Sequence, residues 1–348
     1  MHVTLVSWNV AGTSFLKVPE KKRAKKRQLY NKQLKQLISQ TCPDIILLQE
    51  VIRFGHNSPE QANLEQDGEQ ANELFDTPDG YYYQVSISID TLKNCYPPLW
   101  DKIRTAGNWD KNTYLGHGLG ILWRKELLHS SLWAISNKQL KSGAKLEKET
   151  VRFETGLFSG NRDTEPRMAM VAHFNLSGKD IFVVNFHLTT LKGEREGFPE
   201  RDQYGSQIRQ NQLDTILNGI VSRLNADRQQ QIKKHNKKSK PGLWILGGDL
   251  NATIQSAETM KLTQRNFARL CSDLPTKRPN KKINENKGSK IKVDYLFAGP
   301  LYFACQPDEI SQSNKTYQVL YDLDISDHYP IVARFPLKSA SKVTQHNE

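Results

Sequence analysis

Cysteine is scarce and scattered in this chain. Its 348 residues hold 4 cysteines, Cys42, Cys95, Cys271 and Cys305, with no Cys-x-x-Cys pair among them. That spacing argues against a disulfide framework and a zinc ribbon, and it predicts reduced, mostly buried thiols in a reducing compartment. Long apolar runs are missing as well. The strongest, residues 45–48 and 181–184, fall far short of the ~20 residues a membrane span needs. No basic-then-apolar leader precedes the first strand-like run. The expectation is a cytoplasmic protein with no membrane partner, in keeping with a mean hydropathy of −0.64 and 37% hydrophobic residues. The length suits one large α/β domain.

Acids are missing where bases gather. The net charge of +12 comes from 49 Lys and Arg against 37 Asp and Glu. Residues 17–35 carry nine bases and one acid, 228–240 six bases and none, and 276–292 seven bases and one. The reverse holds over 55–80, with seven acids and no Lys or Arg. A single basic run is usually a solvated loop. Several converging on one face would suit a polyanion, nucleic acid first and a phosphorylated headgroup second.

Apolar periodicity predicts a strand over 2–10, a basic helix over about 22–40 with Leu29, Leu34, Leu37 and Ile38 on one face, and a long helix over about 201–226. Further strands are expected over 81–89, 118–124, 150–158, 167–176, 180–187, 243–247, 291–298 and 329–335. Strands outnumber helices and follow one another across short turns, so pairing should be largely antiparallel.

Several of these strands end in polar residues that a structural strand does not need: Asn9, Glu50, His187, Asp249 with Asn251, Asp294, and Asp327-His328. Taken singly, each is an ordinary turn former or satisfied histidine. Six such places together suit one chemistry. Carboxylates and an amide offer hard oxygen ligands for Mg²⁺ or Mn²⁺, and a histidine beside a carboxylate can move a proton or steady charge on phosphorus. Asp249 and Asn251, two apart in extended backbone, would point to one side.

The ordered set Trp8-Asn9-Val10-Ala11-Gly12, Leu48-Gln49-Glu50-Val51, Asn185-Phe186-His187-Leu188, Gly248-Asp249-Leu250-Asn251, Val293-Asp294-Tyr295 and Ser326-Asp327-His328 resembles the endonuclease/exonuclease/phosphatase, or deoxyribonuclease-I-like, superfamily. The resemblance implies a four-layer α/β sandwich, two packed mixed β-sheets flanked by helices. It implies one domain over 1–337, with basic insertions near 17–35, 228–240 and 276–292 and a flexible tail at 338–348. It makes Asn9, Glu50 and Asp327 the metal residues and His187, Asp249, Asn251, Asp294 and His328 the catalytic ones. Asp249 and His328 both stand as candidates for the general base. Lys192, Arg195 and Arg209 are placed at substrate phosphate.

The implied activity is Mg²⁺-dependent hydrolysis of nucleic-acid phosphodiesters by an intracellular endonuclease, with DNA ahead of RNA as partner. The alternatives are small phosphoesters, tyrosyl-DNA adducts, or a silent nucleic-acid-binding module. Strong salt dependence would mark the polymer.

Overall fold

The central strands are apolar on both sides because both sides are covered. β1 (His2–Asn9) and β5 (Tyr114–Arg124) are buried almost throughout, which is the signature of a sheet packed between two layers. A computed structural model of the protein describes residues 2–55, 72–89, 97–111, 113–134, 151–153, 167–176, 179–189, 203–222, 224–226, 229, 242–270, 274–277, 292–299 and 317–336. The run 228–240 apart from residue 229, nearly all of 276–292 and the tail from 338 lie outside these residues.

Two seven-stranded sheets form the centre. The first runs β13 (Tyr317–Val319), β14 (Ile331–Pro336), β1, β2 (Ile45–Gly55), β5, β4 (Tyr81–Ile89), with β3 (Asn72–Glu73) on β2. The second runs β11 (Ala268–Arg269), β12 (Asp294–Gly299), β10 (Leu243–Asp249), β9 (Lys179–His187), β8 (Arg167–Leu176), β6 (Leu128–Ala134), with β7 (Val151–Phe153) on β8. Each sheet has one parallel pair at its heart, β1 with β2 and β9 with β10, flanked by antiparallel strands.

Side-chain alternation divides the core into three. Val3, Leu5, Ile45 and Leu47 face Ile181, Val183, Leu243 and Ile245 between the sheets. The alternate residues Val6, Trp8, Ile46 and Leu48 face outward, where they meet Phe15 of α1 (Gly12–Leu16), Tyr30 and Leu34 of α2 (Glu20–Thr41) and Trp100 of α3 (Pro97–Gly107). Behind the other sheet, Val184 and Trp244 pack on Leu213 of α4 (Gln203–Asp214), on Ile216 in the π-helical stretch Thr215–Ser222, and on Leu262 of α5 (Ala257–Gln264). The architecture is the expected four-layer sandwich.

The greater part of the basic run at 17–35 is α2, a layer-forming helix close to the one expected over about 22–40. Two expectations are corrected. Leu29 lies off the packed face of that helix, 40% exposed, and Tyr30 takes its place. Cys42 is exposed, because it caps α2 in left-handed backbone at φ 43. The aromatics Tyr81, Trp100 and Trp109 are buried in the core. Among the described residues no helix is long and apolar enough to cross a membrane.

Candidate active site

The two parallel pairs point their C-terminal ends to the same edge of the sandwich. Each sheet delivers three residues there. Asn9 ends β1, Glu50 sits in β2, and His328 precedes β14; Asp249 ends β10, His187 ends β9, and Asp294 begins β12. In the second sheet Asp249 is in register with both His187 and Asp294.

Asn9 joins the sheets. Its Nδ2 donates to Glu50 Oε1 at 3.2 Å and to Asp249 Oδ2 at 3.0 Å, while its Oδ1 accepts from the Ala11 amide at 3.0 Å. Glu50 reaches it because β2 bulges between Gln49 and Val51, with Glu50 at φ 56. That bulge presses on Gly12, where an added Cβ would stand 2.2 Å from the Glu50 carbonyl oxygen. A side chain cannot fit there. Ser326 Oγ donates to the Asn9 carbonyl at 2.6 Å and accepts from the His328 amide at 3.1 Å, which fixes the approach of the histidine.

His328 Nδ1 lies 2.9 Å from Asp294 Oδ2, and its Nε2 faces Asp249 Oδ2 at 3.8 Å. Thr276 Oγ1 holds Asp294 by accepting its amide and that of Val293, each at 3.1 Å. On the other flank His187 Nε2 stands 3.6 Å from Asp249 Oδ2. Asp249 Oδ1 accepts from the Asn251 amide at 2.8 Å, and Asn251 Nδ2 donates to the Leu188 carbonyl at 3.0 Å. Asn251 is left-handed at φ 49. The two residues are therefore joined through a tight turn, carboxylate to backbone amide, and not by strand alternation. Gly248 makes the approach feasible, since a Cβ there would meet the Phe186 carbonyl oxygen at 1.9 Å.

Burial and neighbours set the charges. Burial first, then the adjacent Asp294 carboxylate, push Asp249 up to about 7 against the pull of His328 and Lys277. Burial works against the charged form of His328, but Asp294, as charge and as hydrogen-bond partner, overrides it and raises the imidazole to about 10. Burial and the Arg167 charge hold His187 well below the usual histidine range. Arg167 Nη1 is 3.0 Å from its Nδ1. Arginine can only donate, so the bonded ring nitrogen accepts and the imidazole is neutral. Burial works to raise Glu50, yet the facing His117 imidazole, together with the fields of His187 and His328, keeps it well below the carboxylate range.

The remaining expected residues divide sharply. Asp327 is exposed, and together with Glu50 it raises the phenol of buried Tyr30. Lys192 and Arg195 lie outside the described residues. Arg209 is corrected: it is 1% exposed and donates from Nε to buried Glu258 at 2.7 Å, with Nη1 on the Thr189 carbonyl at 3.4 Å. That places it behind the site as a support of the chain after His187.

Three residues escaped the sequence reading. His117 on β5 faces Glu50 Oε2 at 3.9 Å and the His187 ring at 6.5 Å between centroids. Its signal was parity, because Leu119 and Ile121 at alternate positions beyond it face the intersheet core. Arg167 gave no motif. Lys277 pairs its backbone with His328, and its charge acts on both Asp249 and His328.

The donors fit a hard divalent cation. Ligand atoms of Asp249, Asp294 and His328 lie within 4.8 Å of one another, and buried Asp294 Oδ1 has no hydrogen-bond partner among the described residues. Glu50 keeps 23% of its side chain exposed and comes no closer to His117 than 3.9 Å. Such oxygen-rich, incompletely closed sets suit Mg²⁺-like ions.

A family model described as Endonuclease/Exonuclease/phosphatase family matches residues 6–328. No curated protein matches in sequence. An endonuclease/exonuclease/phosphatase family protein from Leptotrichia buccalis C-1013-b has the same fold, at 16% identity over 95% of this chain and 98% of that one, with a TM-score of 0.50. A humanized D. rerio TDP2 with 14 mutations aligns at 15% identity over 96% and 99%, TM-score 0.49. The human Nocturnin catalytic domain with bound sulfate anion aligns at 14% over 96% and 94%, TM-score 0.43.

Proposed function

This chain belongs to the endonuclease/exonuclease/phosphatase family and is a metal-dependent phosphoric ester hydrolase; from that premise we propose that it cleaves nucleic-acid phosphodiesters with Mg²⁺, DNA ahead of RNA, inside the cell. One observation carries the polymer reading. Lys21, Lys25, Lys32 and Lys35 are exposed along one line of α2, opposite its buried Tyr30, Gln33, Leu34 and Leu37. Steps of four, seven and three residues hold them on one stripe about 21 Å long at 1.5 Å per residue. None has a carboxylate partner among the described residues, and α2 holds a single acid, Glu20. By contrast, Arg27 is spent on Asp76 and Arg23 on the Trp109 ring. A row of unneutralised lysines disfavours its own helix by like-charge repulsion and suits a phosphate backbone.

In this reading Glu50 and Asp249 hold the metal, Asn9 keeps the two carboxylates together, and exposed Asp327 supports them from the rim. Bound Mg²⁺ would supply Lewis acidity at a phosphoryl oxygen. Asp249 accepts the proton of the attacking water, which Asn251 helps to orient. His328 is held cationic by Asp294 and steadies charge on phosphorus, so of the two base candidates the geometry favours Asp249. Neutral His187 offers a hydrogen bond to the phosphate or leaving group, and Lys192 and Arg195 complete the substrate contacts.

The test is cleavage of supercoiled plasmid, single-stranded DNA and RNA with Mg²⁺ across a salt series, beside His328→Ala and the quadruple Lys→Gln variant of the stripe. Expected are metal-dependent nicking, loss of about 10²–10⁴-fold in His328→Ala, and a binding salt slope reduced by up to about one unit per lysine removed. Hydrolysis of small phosphoesters with no cleavage of any polymer sinks the nucleic-acid reading.

A further inference from the structure

The space between the sheets is layered. Its floor is apolar, with Ile45, Leu47, Leu119, Ile181, Val183 and Ile245 in contact, and its rim is the active site. Between floor and rim lies a polar layer, Ser7, Gln49 and Asn185, fully buried. Asn185 continues the inward parity of Ile181 and Val183 on β9, two residues below His187. Hydrophobic burial alone would favour another aliphatic side chain there.

The side-chain hydrogen bonds of Asn185 cross to the other sheet. Its Nδ2 donates to the carbonyls of Leu48 and Gly120, each at 2.9 Å, and its Oδ1 accepts from Gln49 Nε2 at 2.8 Å. Leu48 and Gly120 are in register one pair before Gln49 and Leu119, the last pair ahead of the bulge that turns out Glu50. Gln49 Nε2 also donates to Ser7 Oγ at 3.2 Å, and the Gln49 carbonyl accepts the Val10 amide at 3.0 Å. One side chain of the second sheet thus grips the first on both strands at the root of Glu50. Apolar packing leaves two sheets free to adjust by small slides, whereas directional bonds do not.

We propose that Asn185 and Gln49 are positioning residues, an intersheet clamp that fixes the Glu50 bulge relative to Asp249 and His187 and thereby sets metal affinity. The metal half of the inference rests on Glu50 being a ligand, and the two halves are read separately.

The experiment compares Asn185→Leu and Gln49→Met with Val183→Ala, a packing control one step below in the same core. In metal-free protein, hydrogen exchange of the Val10 amide reports the bulge itself. It should speed up about tenfold or more in the clamp variants and stay unchanged in Val183→Ala, all well below their melting temperatures. Mn²⁺ titration should then show affinity weakened about 10–100-fold in the clamp variants. The two single losses should also be non-additive in the double variant, as for partners in one network. Unchanged Val10 exchange in both clamp variants overturns the clamp. Faster exchange with unchanged Mn²⁺ affinity overturns its link to the metal, and Glu50→Gln with unaltered Mn²⁺ affinity overturns the ligand reading while the exchange result stands. Gln49→Met spares both bonds from Asn185 to the Leu48 and Gly120 carbonyls and keeps the test open should Asn185→Leu fail to fold.

Discussion

Two sets of buried charges lie on opposite faces of the second sheet, and they are built on different plans. Behind it, Arg209 of α4 and Glu258 of α5 meet at 2.7 Å, both essentially without exposure. In front, Asp249 has a second carboxylate, Asp294, as a neighbour. The histidines nearest Asp249 stop short of hydrogen-bond distance, neutral His187 at 3.6 Å and cationic His328 at 3.8 Å. Glu50 and His117 stay 3.9 Å apart. The first set is closed as an ion pair, a charge answered by a charge, with Glu258 Oε2 alone lacking a hydrogen-bond partner among the described residues. The second is left open for a cation, a water and a phosphate. A closed pair holds the chain, here Thr189, which also bonds Gln212. An open set has room for a cation and, in the proposed function, carries the chemistry.

The largest effect should come from opening the closed pair. Glu258→Ala strands a buried guanidinium and should cost about 3–5 kcal/mol, while the apolar double variant Arg209→Met/Glu258→Leu should recover most of that loss. Urea denaturation checks both. If the single variant costs nothing, the pair is not the closed structural unit described. Next in size is closing the open set. Saturating Mg²⁺ at 100 times its dissociation constant should stabilise the wild type by about 2.7 kcal/mol, and thermal melts of Glu50→Gln should lose most of that gain. An equal shift in both proteins would place the cation elsewhere.

A smaller effect sharpens the contrast in the absence of metal. Asp249 is raised to about 7 in the folded protein, so its carboxyl favours folding in the acid range. That contribution is lost as pH rises from the ordinary carboxylate value towards 7. At pH 8 the carboxylate is ionised and disfavours the fold. Asp249→Asn in chelator should therefore gain roughly 0.5–2 kcal/mol while abolishing turnover, and the gain should shrink below pH 5. A loss of stability at pH 8 would mean that the site is not held open against an electrostatic cost.

How far the sequence reaches follows from the same contrast. The open set was legible because its members end apolar strands, where a polar residue has no packing reason to be: Asn9 after Trp8, His187 after Phe186, Asp249 after Gly248. The closed pair was not legible. Arg209 looked like a phosphate ligand because its partner Glu258 is 49 residues away, and only the packing of α4 on α5 joins them. His117 was missed because glycines on both sides blur the alternation that places it above Leu119. The left-handed turn at Asn251 is likewise invisible in an Asp-x-Asn spacing. In α2 both the charge pattern and the helix were legible, and only its packed face was misjudged, with Leu29 placed where Tyr30 lies.

The smallest effect uses two tyrosines as local reporters. Tyr81 donates its hydroxyl to the Pro43 carbonyl at 2.6 Å, close to the Arg124–Asp44 ion pair. Burial is the leading cause that raises it to about 12, with Arg124 pulling the other way. Tyr30 donates to the Val10 carbonyl at 3.1 Å. It too is raised by burial first, but the charges added to that are Glu50 and Asp327, both negative and from the open set. Both phenols favour the fold fully below pH 10, the unfolded value, and that contribution falls as pH rises beyond it. Absorbance titration at 295 nm should find Tyr81 ionising near 12 and Tyr30 later still. Glu50→Gln should lower Tyr30 and leave Tyr81 in place, at about 1.4 kcal/mol for each pH unit moved. Equal movement of both tyrosines would mean that Glu50 acts through the whole fold and not through the field of an open site.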